Sequence, residues 1–196
     1  LCEYADTLTA FGNTTPSSYL RLVPNQEAPT RIFWSGLNRQ ALIRVPLAWS
    51  EFNHLAKKIN PQETASPKGN FESKTVELRS GDGSALIHLF IAGIVMAAEW
   101  GLTQQNSIEI AHNLYVKGKF SKDQDIMDSY KSLPSSCRES SELLINKREM
   151  YQRDNVFPST IIDYIADLLE TEHLDLSQHT TPEALAKVMH NDIHKR

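Results

Sequence analysis

The chain has 196 residues, is 40% hydrophobic and 22% charged, and carries a net charge of −4, a composition that fits one large globular domain or two small ones. Its mildly acidic balance excludes a global basic field, so neither nucleic acid nor a membrane is an expected partner. Its two distant cysteines, Cys2 and Cys137, exclude a disulfide framework and point to a reducing, cytoplasmic compartment.

The first residues, Leu1 to Asp6, include no charged or apolar leader and no initiator Met, so the chain is expected to start inside a larger protein. Asn13-Thr14-Thr15-Pro16-Ser17-Ser18 reads as a turn or loop, and Pro24 and Pro29 bracket a loop over 21–29. Residues 30–36 and 39–46 alternate as strands, joined by Gly36, Leu37 and Asn38 as a hairpin or a kinked pair. In the second, Ala41, Ile43 and Val45 share one face, and Gln40, Leu42 and Arg44 the other. Phe52, Leu55 and Ile59 give residues 49–59 helical spacing, and a polar loop follows to residue 70. Thr75 to Arg79 is a short strand with Glu77 and Arg79 side by side on one face.

A helix over about 84–100 is apolar almost all round and is expected to be central, with Gly101 as its C-cap. It is shorter than the roughly 20 residues a membrane helix needs. Residues 102–134 form a polar connection. Ser136 to Glu139 fits a capping box opening a helix to about residue 152. Pro158 suits the first turn of the next helix, whose apolar stripe is Ile161, Ile162, Ile165, Leu168 and Leu169. Thr181-Pro182-Glu183 starts a last helix. Strands first and helices later predict an α+β fold, with short antiparallel strands over 1–80 packed on a mainly helical 81–196.

The chemistry concentrates in arginines at 21, 31, 39, 44 and 79, with Glu77 among them. Arginine is costly in an apolar strand unless something anionic lies opposite. Two readings stand. A carboxylate among arginines suits a divalent metal bridging phosphates, or Glu77 and Arg79 form a structural ion pair. Elsewhere, Gly81-Asp82-Gly83-Ser84 has no P-loop ending and reads as a packed turn. His190 and His194 have no third ligand and read as an exposed tail, and His88 reads as a core histidine.

Arg21-Leu22-Val23-Pro24 with Glu27-Ala28-Pro29, then Trp34-Ser35 with Asn38-Arg39 and Ala41 to Pro46, then Val76 to Ser80 with Asp82-Gly83-Ser84-Ala85, resemble the C-terminal catalytic region of glutamine synthetases of the bacterial dodecameric type. Leu133 to Ser136, Asp154 to Pro158 and Ile162 to Ile165 are similar to that family's closing helices. The resemblance implies an ATP-dependent glutamate–ammonia ligase of nitrogen metabolism and glutamine biosynthesis. It would act through γ-glutamyl phosphate, use Mg2+ or Mn2+, and work as a homo-oligomer. It implies that Arg21 holds the substrate carboxylate and that Glu27 sits on a closing flap and helps deprotonate ammonium. It further implies that Arg39 and Arg44 contact nucleotide phosphates, Glu77 is a metal ligand, and Arg79 faces the substrate γ-carboxylate.

The chain departs from the family at Thr75, where an Arg is usual, at Ser17-Ser18-Tyr19, at Leu86-Ile87-His88, and in an insertion over about 49–70. These mark a diverged branch and keep open a γ-glutamyl–amine ligase, or a non-catalytic assembly module. Asn113-Leu114-Tyr115 resembles the family's adenylylated segment, but Val116-Lys117-Gly118 does not, so a surface loop is expected. The family's other metal ligands lie upstream of the first motif. Residues 1–196 are therefore expected to be a C-terminal fragment of the catalytic domain, inactive without its upstream half.

Overall fold

A computed structural model describes residues 1–23, 28–36, 38–46, 59–62, 75–117, 127–175 and 181–193. Glu27, Leu37, His194 and nearly all of the segment expected as a helix over 49–59 lie outside the described residues.

The core is organised around α1 (Ala5–Gly12), in which every residue is buried. Local pattern does not mark this segment as core, because it contains Asp6, Thr7 and Thr9. Each finds a partner inside. The Asp6 carboxylate takes Lys131, Lys147 at 3.1 Å and the Thr7 amide at 2.9 Å. Thr7 Oγ1 meets the Tyr151 hydroxyl at 2.6 Å, and Thr9 Oγ1 meets Ser140 Oγ at 2.8 Å. Buried polar groups are tolerated when bonded in this way. A short helix, α2 (Pro16–Arg21), follows where a loop was expected, with Pro16 at its first position.

Among the described residues three strands form one sheet in the order β1 (Trp34–Gly36), β2 (Ile43–Val45), β3 (Glu77–Leu78). β2 and β3 are antiparallel, but β1 and β2 run parallel, Trp34 opposite Ile43 and Gly36 opposite Val45. Of the two arrangements expected, a hairpin or a kinked pair, this rules out the hairpin. A parallel pair normally needs a long crossover. Strands of three residues are short enough for the intervening residues to run back to the start of β2. The other side of β1 is bridged by the 114–116 segment, with Trp34 N donating to Leu114 O and Val116 N to Trp34 O, both at 3.0 Å.

The helices follow as α3 (Ile87–Thr103), α4 (Ser107–Asn113), α5 (Cys137–Asn146), α6 (Arg148–Gln152), α7 (Ser159–Glu172) and α8 (Pro182–Ile193). α4 lies in the stretch expected as a connection. α3 runs through Gly101 and stops after Thr103, whose hydroxyl bonds back to Glu99 O and Trp100 O. It is not central all round. Gly93, Met96 and Ala97 are buried against the core, while Ile87, Ile91, Val95 and Leu102 are exposed. No single helix among the described residues is long and apolar enough to cross a membrane.

At α5, Ser136 Oγ accepts from Glu139 N at 3.2 Å, while Glu139 reaches back to Ser135 N at 2.8 Å. The helix expected to reach residue 152 breaks at Lys147 into α5 and α6. Asp154 and Asn155 then take left-handed φ of 53° and 56°, which Asp and Asn tolerate, and turn Phe157 inward. α7 buries Ile162, Ile165 and Leu169. The α+β class holds as expected.

Candidate active site

Arg21 ends α2, and its guanidinium is held by the turn between β3 and α3. Nη2 donates to Ser80 O and to Gly81 O at 3.3 Å, and lies 3.9 Å from Asp82 Oδ2. Nε is buried and has no hydrogen-bond partner among the described residues. The side chain stays 37% exposed, enough to meet a ligand. Asn13 holds the same turn from behind, donating to Ser80 O at 2.8 Å.

Phe90 explains why that turn is glycine-rich. A Cβ on Gly81 would lie 2.7 Å from the Phe90 ring, and one on Gly12 would lie 2.9 Å from it. The ring therefore wedges between α1 and the turn. Asp82 Oδ1 accepts from Ser84 N at 2.9 Å and from Ser84 Oγ at 2.7 Å, closing an Asx turn.

One residue before Ser80, Arg79 bends toward the segment preceding β2. Its Nη1 donates to Arg39 O and to Ala41 O at 3.0 Å, and its amide donates to Leu42 O at 3.0 Å. Arg39 itself is exposed. In the β2–β3 register Arg44 stands opposite Glu77, and Arg44 Nε donates to Glu77 Oε2 at 2.7 Å. That hydrogen bond, with the positive charges of Arg44 and then Arg79, holds the Glu77 carboxyl below the usual carboxylate range. It also raises Arg44 further above its ordinary value.

Strand alternation had suggested Glu77 and Arg79 as the ion pair; the partner that hydrogen-bonds Glu77 is Arg44, across the sheet. Arg31 stands apart, bonded to Asp128 and to Ser132 Oγ. Arg21, Arg39, Arg44, Glu77 and Arg79 are thus linked along one ridge through Ser80 and the residues flanking β2. Asn13 and Asp82, which bracket Arg21, were not picked out as site residues. The Asp82-Gly83-Ser84 turn was the signal for one of them.

A cleft of about 630 Å3 opens beside Arg21, lined also by Thr15, Ser17, Ser18, Asp82 and Ser84. Asp192 of α8 reaches its rim and accepts from Ser17 N at 2.9 Å. Guanidinium and hydroxyl donors suit a carboxylate or phosphate.

The same residues do not by themselves fit a divalent cation. Among the described residues no three His, Cys, Asp or Glu side chains converge, and Glu77 is already bonded to Arg44. A hard cation takes six or more oxygens. The chemistry that this ridge carries itself is that of its guanidinium groups.

A family model described as glutamine synthetase, catalytic domain, matches residues 1–188. Among curated proteins, a glutamine synthetase of Azospirillum brasilense is 31% identical over 199 residues, covering 98% of this chain and 36% of its own length. One of Methylococcus capsulatus is 30% identical, covering 93% of this chain and 34% of its own length. The chain therefore spans about a third of the length of these relatives. Among solved structures, a Plasmodium falciparum glutamine synthetase is similar with a TM-score of 0.58 and 21% identity, covering 87% of this chain and 36% of that one. At that identity the likeness is one of fold.

Proposed function

The chain belongs to the glutamine synthetase family, matching its catalytic domain over residues 1–188, and from that premise we propose that it carries the arginine-bearing wall of an ATP-dependent glutamate–ammonia ligase. ATP would transfer its γ-phosphoryl group to the glutamate side-chain carboxylate with ADP leaving, ammonia would then displace phosphate, and a divalent metal with ligands from the rest of the domain would shield the phosphate charge. Arg21 takes one carboxylate of glutamate. Arg79 faces the γ-carboxylate, where its positive charge stabilises the charge developing during phosphoryl transfer. Arg39 and Arg44 meet the nucleotide phosphates. Glu77 would supply one carboxylate ligand to that metal. Glu27 serves ammonium deprotonation.

The observation that carries this reading is that Arg21 and Arg79 flank Ser80. Arg21 bonds its carbonyl, and Arg79 precedes it on the chain. Two guanidinium groups at the same strand end suit a dicarboxylic amino acid held at both ends. The full-length protein is expected to assemble as a homo-oligomer in the cytoplasm.

Coupled ADP release by the full-length protein tests the proposal. Release should require both glutamate and an amine. A panel of amines separates ammonia from larger substrates, and release with no amine in the panel would overturn the ligase reading.

A further inference from the structure

We infer that Asp82 is a positioning residue for Arg21, setting the guanidinium that holds the substrate carboxylate; this rests on the ligase reading above. The Asp82 carboxylate divides its two oxygens. Oδ1 serves the turn, accepting from Ser84 N at 2.9 Å and Ser84 Oγ at 2.7 Å. Oδ2 faces Arg21 Nη2 at 3.9 Å and accepts from Asn13 Nδ2 at 3.4 Å.

Arg21 is thereby gripped on one side only. Nη2 meets two carbonyls and a carboxylate, Nε is buried, and Nη1 makes no hydrogen bond to a described residue. A long side chain loses rotamer freedom when it is fixed in this way before the ligand arrives. The turn holding it is itself rigid. Asp82 N donates to Gly12 O at 3.1 Å, and the Phe90 ring packs beneath Gly81. Asp82 thus ties the buried helix α1 to the exposed guanidinium.

The test is a double-mutant cycle in the full-length protein, read as separate KM values. Asp82→Asn keeps an oxygen for the Ser84 turn and removes the charge. It is expected to raise the glutamate KM roughly threefold to fivefold, the range for a partly exposed ion pair, with the ATP KM and kcat within about twofold of the parent. In an Arg21→Lys background the same change should alter the glutamate KM by less than about twofold, since coupled residues are not additive. Asp82→Glu should recover most of the loss. Should Asp82→Asn fail to fold, Asp82→Ser retains a turn-forming oxygen and carries the same comparison. An unchanged glutamate KM in folded Asp82→Asn, or losses that multiply in the double variant, overturns the inference. If Arg21→Lys raises the glutamate KM and Asp82→Asn does not, only the positioning role falls. If Arg21→Lys leaves the glutamate KM unchanged, the assignment of Arg21 to the substrate falls with it.

Discussion

Arg44 and Glu77 face each other across β2 and β3, and Arg44 Nε donates to Glu77 Oε2 at 2.7 Å. The pair joins the residue proposed for nucleotide phosphate to the one proposed for metal, so each holds the other before ligands arrive. Arg44→Ala should raise the Glu77 carboxyl toward the ordinary value of about 4.3, read by NMR titration of the Glu77 side chain. The sign follows from the depressed value in the folded chain. The pair's contribution to stability is present above the unfolded pKa and disappears as pH falls through the folded one. Glu77→Gln should abolish that part of the acid dependence.

Arg79→Ala should abolish glutamate-dependent ADP release by the full-length protein while leaving its far-UV circular dichroism unchanged. Its guanidinium bonds the carbonyls of exposed Arg39 and buried Ala41, and losing them removes no side-chain packing between Ala41, Phe33 and Val116. Wild-type turnover in that variant would reduce Arg79 to a clip on the segment before β2. On the proposed function, in which the metal draws its other ligands from the rest of the domain, residues 1–196 alone should show no turnover at saturating magnesium; measurable ligase activity would contradict this.

Gly81→Ala should destabilise the chain by about 1–3 kcal/mol, the cost of forcing atoms into a filled space. The new Cβ would meet the Phe90 ring at 2.7 Å. Gly83→Ala, with nothing within 4 Å of its Cβ, is the contrast and should not incur that clash. Thermal melts of the two variants decide the matter.

Asp6→Asn should cost roughly 2 kcal/mol, since it weakens charge-assisted bonds to Lys131 and Lys147 at a fully buried site. Chemical denaturation measures the loss, and a change below a few tenths of a kcal/mol would show that the lysines contribute little.

At alkaline pH the tyrosines on the buried network resist ionisation. Burial pushes Tyr19 well above its ordinary value, and burial likewise raises Tyr151. The unfolded chain releases those protons near pH 10 while the folded chain keeps them, so stability should fall as pH rises past that point. Ultraviolet titration should show both phenols ionising only with unfolding. Cys2, pushed up to about 11 by burial, should react slowly with thiol reagents at pH 8 for a related reason.

The legible parts of this fold were those whose burial follows a simple period. In α7, Ile162, Ile165 and Leu169 recur at helical spacing and are buried, and the Ser136 cap appears where its motif lies. α1 was illegible because Asp6, Thr7 and Thr9 mask a fully buried helix. Their partners Lys131, Ser140, Lys147 and Tyr151 stand far along the chain, and local pattern carries no trace of them. The parallel run of β1 beside β2 was hidden for a different reason. Alternation marks strands but not their direction, and very short strands relax the usual link between loop length and pairing. In the candidate site the residue types were readable, but the partner of Glu77 was set by β2–β3 register, which a single strand cannot reveal.

The burial of α1 also has a consequence in time. Thr7 meets Tyr151 across 144 residues of sequence. During synthesis at roughly 5–20 residues per second, α1 would leave the ribosome on the order of ten seconds or more before its covering helices exist. An apolar segment containing Leu8, Ala10 and Phe11 must wait through that interval uncovered. α1 is therefore made well before the helices that seal it, and it is a natural place for a chaperone to hold the nascent chain.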